Sequence, residues 1–349
     1  MLYEIARACL FKMDPETAHG LIMGNIDWAV ALGVTKLVTG PVVSHPVKVM
    51  GLTFPNAVGL AAGMDKQASH VSSIGALGFG HIEVGTLTPK PQPGNPKPRL
   101  WRLIPAQGIV NYMGFNNVGV DKGLENLRVS ATKYRQNGGI VGVNIGKQTV
   151  TPLENALDDY RVLMQKAYAD ADYLAIDISC PNTTNLTRLQ DDDYLSALTQ
   201  GIAEERKALA DKHGKYVPIT VKIGPDLTDD AVRASADVFV KFGMDAVTAT
   251  NTTRSRKGVE HLPKSENPGG LSGLPLFEQS THVVQVLSDH LKGELPIIAS
   301  GGVMSAELAV EKMKAGASLV QIYSGFIYRG PVLISEAAQA IKDWSQSHQ

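Results

Sequence analysis

Short apolar runs alternate with helical patterns along this chain, and each run gives way to a polar or glycine-bearing turn. Such alternation predicts repeated βα units, and nothing else in the sequence restricts the fold as tightly. The runs fall at 58–62, 81–85, 140–145, 173–179, 218–223, 246–250, 296–300 and 319–323. This set of eight predicts an α/β fold, a (β/α)8 TIM barrel. A doubly wound open sheet is the rival, but it requires a GxGxxG turn after an early strand, and the sequence has none.

Polar residues mark the ends of these runs. Lys66 lies just past the first, Thr86 ends the second, Asn144 the third, Asp177 and Cys180 the fourth, Lys222 the fifth, and Thr250 with Asn251 the sixth. Barrels of this kind build their active sites at the carboxyl ends of their strands. Singly, each residue has a plainer use, since Asn and Thr satisfy turn backbones and Lys is usually a solvated head on an apolar stem. Turn chemistry does not explain two lysines and several amides converging on one rim. Cys180 is the candidate proton acceptor, because Pro181 behind it removes a backbone donor and stiffens the turn that aims the thiol. The alternative for Cys180 is a buried small hydrophobe in a tight turn.

The last two runs end in Ser300-Gly301-Gly302 and Tyr323-Ser324-Gly325, whose bare amides suit a phosphate at the position where barrels commonly hold one. Taken alone, each is equally an ordinary strand-to-helix turn. Residues 87–99 are too proline-rich for a helix and predict a stiff loop at the barrel top rather than a domain linker. The stretch Asn111-Tyr112-Met113-Gly114-Phe115-Asn116-Asn117 follows. Its amides offer donors and acceptors together, as a planar imide requires.

Composition narrows the class. A net charge of -1 over 349 residues carries no electrostatic signature for nucleic acid, and 44% apolar residues suffice for a large core. The chain therefore reads as a soluble, enzyme-sized domain. Cys9 and Cys180 stand far apart, which argues against a disulfide framework and fits a reducing compartment. The first residues show no secretory leader, and no stretch has the length of a membrane span.

Together these residues resemble the quinone-dependent, membrane-associated class of dihydroorotate dehydrogenases over nearly the whole chain. The matching pieces are Gly59-Leu60-Ala61-Ala62-Gly63-Met64-Asp65-Lys66, Glu83-Val84-Gly85-Thr86, the proline-rich loop, Met113-Gly114-Phe115-Asn116-Asn117, Gly142-Val143-Asn144-Ile145-Gly146-Lys147, Ser179-Cys180-Pro181-Asn182, Thr250-Asn251-Thr252-Thr253, Gly269-Gly270-Leu271-Ser272-Gly273 and Gln321-Ile322-Tyr323-Ser324-Gly325. The resemblance implies FMN at the barrel mouth, oxidation of dihydroorotate to orotate in pyrimidine (UMP) biosynthesis, and electron transfer to a quinone. It implies neither a metal nor an obligate protein partner.

By the same resemblance, Ala62, Gly63, Met64, Asp65 and Lys66 lie at the isoalloxazine, and Lys66 also meets the substrate carboxylate. Thr86, Asn144, Asp177, Lys222 and Thr250 serve the flavin ring and ribityl chain, and Gly273, Gly302, Tyr323 and Ser324 its phosphate end. Asn111, Tyr112, Met113, Gly114, Phe115, Asp177, Asn182, Asn251 and Thr252 frame the pyrimidine. Cys180 then removes a proton from C5 on the face opposite the FMN while hydride leaves C6.

Three positions depart from the class. Serine normally stands at Cys180, and a thiol, with an ordinary pKa of about 8.5, predicts a pH response over an accessible range. Tyr112 replaces an arginine and deletes a positive charge. Asp177 replaces an asparagine that donates to the pyrimidine, and an ionised carboxylate only accepts. At about 5 Å from the substrate carboxylate, with an effective dielectric near 20, the repulsion is about 3 kcal/mol. Burial of Asp177 would relieve it by keeping the acid protonated.

The N-terminus is expected to decide the acceptor. Asp14 and Pro15 start a helix that Gly33 stops, with Ala18, Leu21, Ile22, Ile26 and Ala29 as its apolar stripe, and Leu2, Ile5, Ala6 and Cys9 form a stripe before it. Two such helices could simply pack on a barrel. The resemblance implies instead an amphipathic, membrane-associating extension at 1–40 that opens a quinone tunnel near His19, Arg102 and Tyr323, with the catalytic barrel at 41–349. It places the protein peripherally on the cytoplasmic face of the cell membrane. Two other readings stay open on the departures: a related FMN oxidoreductase with another pyrimidine or acceptor, and a flavin-binding barrel impaired by Asp177.

Overall fold

The structure, a computed structural model, describes residues 2–183 and 186–347. All eight apolar runs are strands of one closed parallel barrel: β1 (Val58–Leu60), β2 (His81–Leu87), β3 (Ile140–Gly146), β4 (Tyr173–Asp177), β5 (Ile219–Ile223), β6 (Ala246–Ala249), β7 (Ile297–Ser300) and β8 (Leu319–Ile322). They pair in chain order, and closure comes from β8 on β1, where Val320 faces Val58 and Ile322 faces Leu60. Burial on both faces is why continuous apolar runs, rather than alternating ones, mark these strands. β1 and β4 stop two residues earlier than expected, because the chain leaves the ladder there to enter the site loops.

The barrel interior is not wholly apolar. Glu83 is completely buried on β2, where one carboxylate oxygen accepts from Asn144 Nδ2 at 2.8 Å. The other accepts from Gln321 Nε2 at 2.7 Å and from the Tyr173 hydroxyl at 3.2 Å. Lower down, a hairpin of Val47–Val49 with Leu52–Phe54 sets Phe54 edge-on to His81, the first residue of β2.

Two helices precede the barrel. α1 (Leu2–Leu10) docks through the Tyr3 hydroxyl on Ile327 O at 2.7 Å, through Arg7 on Tyr328 O, and through Phe11 packed edge-on to Tyr328. α2 (Pro15–Ala31) starts as expected, with Asp14 accepting from Thr17 N at 2.9 Å and Pro15 in the first turn. Its stripe divides, however. Ala18 and Ile26 are buried together with Met23, whereas Leu21 is 48% and Ile22 47% exposed. A flat stripe on one face does not describe a helix that touches the barrel along one edge only.

A three-stranded antiparallel sheet not expected from the sequence lies over the mouth, with Gly108–Asn111 between Leu100–Leu103 and Gly270–Gly273. Leu103, Val110, Val259 and Leu271 give it a small core of its own. The proline-rich segment 87–99 leads from β2 into this cap, so it is a barrel-top loop rather than a linker.

Candidate active site

A cavity opens at the carboxyl ends of the strands beneath the cap. Ala62, Gly63, Lys66, Thr86, Asn111, Met113, Gly114, Phe115, Asp177, Cys180, Asn182, Lys222, Thr250, Asn251, Thr252, Gly273, Gly302, Tyr323 and Ser324 all line it, so the structure brings most of the expected residues together. Four stand elsewhere. Asn144 lies behind the wall, held between Glu83 and the Thr86 hydroxyl, which donates to its Oδ1 at 2.6 Å. Asp65 turns away to accept from the amides of Ser69 and His70 at 2.9 and 2.8 Å. Met64 lines a neighbouring cavity instead. Tyr112 lines neither cavity, and its amide donates to Arg99 O at 2.8 Å.

Cys180 sits three residues past the end of β4, buried and on the cavity wall. Burial, reinforced by the nearby Asp177 carboxylate, pushes its thiol up to about 12, while hydrogen bonding from Asn182 and Thr183 and the charge of Lys222 oppose the rise. The expected pH response at ordinary thiol values is thus displaced far to the alkaline side. Asp177 is also buried, and loss of hydration raises its pKa, with Lys222, its register partner on β5, pulling the other way. Its Oδ1 accepts from Ser179 N at 3.0 Å, from Ser179 Oγ at 3.1 Å and from Asn251 Nδ2 at 3.2 Å.

Beside these groups stands an amide frame. Asn182 Nδ2 donates to Asn111 Oδ1 at 2.8 Å, leaving Asn182 Oδ1 buried and unpartnered on the cavity wall. Gln321 also lines the cavity, and with its Nε2 committed to Glu83 its Oε1 is a second buried acceptor without a partner. Asn116 Oδ1 is a third, and buried polar atoms without partners are rare enough that three in one cavity point to a ligand. Glu83 and Gln321 stand in motifs that the sequence offers but carry no expected role, and the available signal was a polar side chain in the middle of each buried strand.

The donor set fits a flavin phosphate. Gly273, Gly301 and Gly302 all have positive φ, and a Cβ at Gly302 would lie 2.4 Å from Phe277 Cα. Only glycine closes that turn, so the backbone itself forms the wall. Beyond it, Ser324 opens the helix Ser324–Arg329, whose first amides have no intrahelical acceptors, and its hydroxyl lies 2.9 Å from that of Ser272.

A second cavity, about 500 Å3 in volume, runs between the N-terminal helices and the barrel. His19, Arg102 and Tyr323 line it, and Lys66, Leu100, Ile109, Met113 and Tyr323 line both cavities. Burial and the nearby Lys66 push His19 down to about 4, so the imidazole is neutral. Burial likewise lowers Lys66 to about 8, and its Nζ donates to Gly63 O at 2.7 Å. Arg102 donates to Met13 O at 3.0 Å and lies 4.5 Å over the Phe11 ring.

The two cavities are tied by a hydrogen-bonded chain across the cap. Glu16 on α2 takes Arg99 in a two-pronged pair at 2.7 and 3.2 Å, Arg99 Nη1 donates to Asn95 O at 2.8 Å, and Asn95 Nδ2 donates to Asn182 O at 3.0 Å.

Comparison with known proteins agrees with this geometry. The family model described as dihydroorotate dehydrogenase matches residues 45–344. A relative from Dechloromonas aromatica named dihydroorotate dehydrogenase (quinone) is 54% identical over 341 residues, 98% of this chain and 98% of its own length. A relative of the same name from Pseudomonas aeruginosa is 53% identical over 340 residues, covering 97% of this chain and 98% of its own. Among solved structures, a DHODH from Eimeria tenella in complex with ferulenol superposes with a TM-score of 0.86 at 37% identity, covering 96% of this chain and 93% of that one. The ligand-free enzyme of that organism gives 0.84 at 38% identity, with 96% of both chains covered. Identity of this depth, sustained over almost the full length on a matching barrel, means that the chain is an oxidoreductase and belongs to the dihydroorotate dehydrogenase family.

Proposed function

We propose that the chain oxidises dihydroorotate to orotate in pyrimidine biosynthesis, with FMN in the barrel-mouth cavity and a quinone in the cavity beneath the N-terminal helices. The observation that carries this reading is the shared wall: Lys66 and Tyr323 face both cavities, so one group bound at the mouth is in reach of a partner in each. Bound there, FMN would supply the two-electron chemistry that takes a hydride from C6 and returns the electrons to a quinone. Lys222 and Thr250 would meet the flavin ring, Gln321 would supply an acceptor to it, and Gly273, Gly301, Gly302 and Ser324 would hold the phosphate.

The pyrimidine lies between Cys180 and the flavin in this reading. Asn111, Asn182, Asn251 and Thr252 fix its polar edge, and Asn251 is already oriented, with Oδ1 accepting from Thr252 N at 2.8 Å and Nδ2 turned to Asp177. Lys66 offers a cation for the substrate carboxylate. The Cys180 sulfur takes the C5 proton as the C5–C6 bond becomes double. Glu83, through Asn144, braces Thr86 from behind.

Residues 1–40 form the acceptor extension and 41–349 the catalytic barrel. No helix among the described residues is long and apolar enough to cross a membrane. Support for a peripheral position on a membrane comes instead from exposed apolar side chains: Ile5, Trp28, Leu32, Leu37 and Val42 all stand in the first part of the chain. The alternatives, another acceptor or a disabled barrel, are not favoured by relatives that share the quinone-dependent name.

An anaerobic titration tests the reading. The purified chain should be yellow, bleach on adding dihydroorotate, and recover its colour with a soluble quinone but not with fumarate or NAD. Recovery with fumarate or NAD alone would contradict the acceptor assignment, and no bleaching would contradict the substrate.

A further inference from the structure

Lys312 is completely buried on the helix Ala306–Lys314, between β7 and β8, yet no carboxylate pairs with it among the described residues. Its Nζ donates to Ser280 Oγ at 2.6 Å and lies 4.9 Å over the Phe277 ring. Burial pushes the amine down to about 7. An isolated buried ammonium is costly to keep and is seldom retained without an anion to answer it.

The charged groups on the surrounding elements do not supply one. On its own helix Glu307 and Glu311 are exposed, and Glu311 pairs with Lys314. On the helix Phe277–Leu291, Glu278 and Asp289 are exposed, His282 pairs with Asp229 and His290 with Asp237. On the helix Val332–Gln346, Glu336 pairs with Arg329, Asp343 is exposed, and Lys342 has the same charge sign as Lys312.

What the ammonium does face, through one layer of atoms, is the turn after β7. Ser280 Oγ lies 3.1 Å from Gly301 O, and a Cβ at Gly301 would meet that same oxygen at 2.8 Å. Phe277 backs directly onto Gly302, whose missing Cβ would fall 2.6 Å from Phe277 N. Gly301 and Gly302 line the cavity mouth on their other side.

We propose that Lys312 is a positioning residue for the anionic end of the cofactor, its ammonium acting through Ser280 and Phe277 to hold the Gly301-Gly302 turn favourable to a phosphate monoester. The inference rests on the reading of that turn as the FMN phosphate site. A charge one layer behind the wall, in surroundings of low dielectric, is close enough to favour a dianion without touching it.

The test compares FMN with riboflavin, which lacks the phosphate, on the full-length chain stripped of flavin. Binding is read by quenching of flavin fluorescence. Lys312→Gln keeps a hydrogen-bonding group for Ser280 and removes the charge. It should weaken FMN by about tenfold and leave riboflavin within about twofold, while Lys312→Arg restores part of the preference. Equal loss for both flavins, or loss for neither, would overturn the proposal. If Lys312→Gln does not fold, Ser280→Ala removes the link and should lower the FMN preference in the same sense. An unchanged preference in that variant would also overturn it. A wild-type chain that binds neither flavin would refute the FMN reading and this proposal with it, whereas a wild type that binds FMN beside an indifferent variant refutes this proposal alone.

Discussion

Replacing Cys180 with alanine should slow bleaching of the bound flavin by dihydroorotate by about 10^2- to 10^4-fold, the range that a positioned general base contributes. Stopped-flow absorbance under anaerobic conditions reads this step without involving the quinone. The loss should be confined to it, because Cys180 lines the mouth cavity and not the one under the N-terminal helices. Reoxidation of chemically reduced flavin by quinone should proceed at the wild-type rate. In the wild type the same half-reaction has a characteristic pH dependence. Burial and Asp177 hold the thiol up at about 12, so the thiolate fraction grows about tenfold per pH unit below that value. The bleaching rate should therefore climb through the neutral and alkaline range without the plateau that an ordinary thiol would give near 8.5. A plateau at the ordinary value would show that burial and Asp177 do not hold the thiol up in the working enzyme.

Asp177→Asn should tighten dihydroorotate binding by about tenfold to a hundredfold, the larger figure being the full repulsion of about 3 kcal/mol between two carboxylates at about 5 Å. The present geometry favours an effect below that ceiling. Asp177 is buried, its pKa is raised, and Lys222 stands beside it in register on β5. The sign of the pH dependence follows from the raised value. At low pH the acid is neutral and does not repel the substrate; as pH rises through its folded-state pKa, the charge appears and affinity falls. KM for dihydroorotate should thus rise with pH in the wild type and stay level in Asp177→Asn until Lys66, held at about 8, loses its charge. The asparagine keeps an oxygen for Ser179 N, Ser179 Oγ and Asn251 Nδ2 and gains a donor for the pyrimidine. Equal affinity in the two proteins at every pH would show that Asp177 is protonated throughout or distant from the substrate.

The barrel was legible because each strand is buried on both faces, so hydrophobicity alone marks it out. The ends of β1 and β4 were less so, since apolar side chains continue after ladder pairing stops, and only the register with neighbouring strands shows where. The rim residues followed from the barrel, and Lys66, Cys180, Lys222 and Asn251 meet at one cavity. The cap sheet escaped notice for a different reason. Its strands have four residues each, and Gly270–Gly273 pairs with Gly108–Asn111 across a separation that no local pattern encodes. Glu83 and Gln321 stand in recognisable motifs, but their role depends on contacts between distant strands: a buried carboxylate with three neutral donors orients two amides beneath the site. On α2, periodicity located the helix but not its contact face, because cavity-lining and barrel-facing positions are both apolar.

A crystal structure of the FMN-loaded enzyme with orotate decides the arrangement of the reacting groups. The sulfur of Cys180 should lie against C5 on one face of the pyrimidine, with the flavin stacked on the other and Asn111, Asn182, Asn251 and Thr252 around its edge. A sulfur directed away from the ring, or lying on the same face as the flavin, would rule out Cys180 as the base and with it the proposed chemistry of this site.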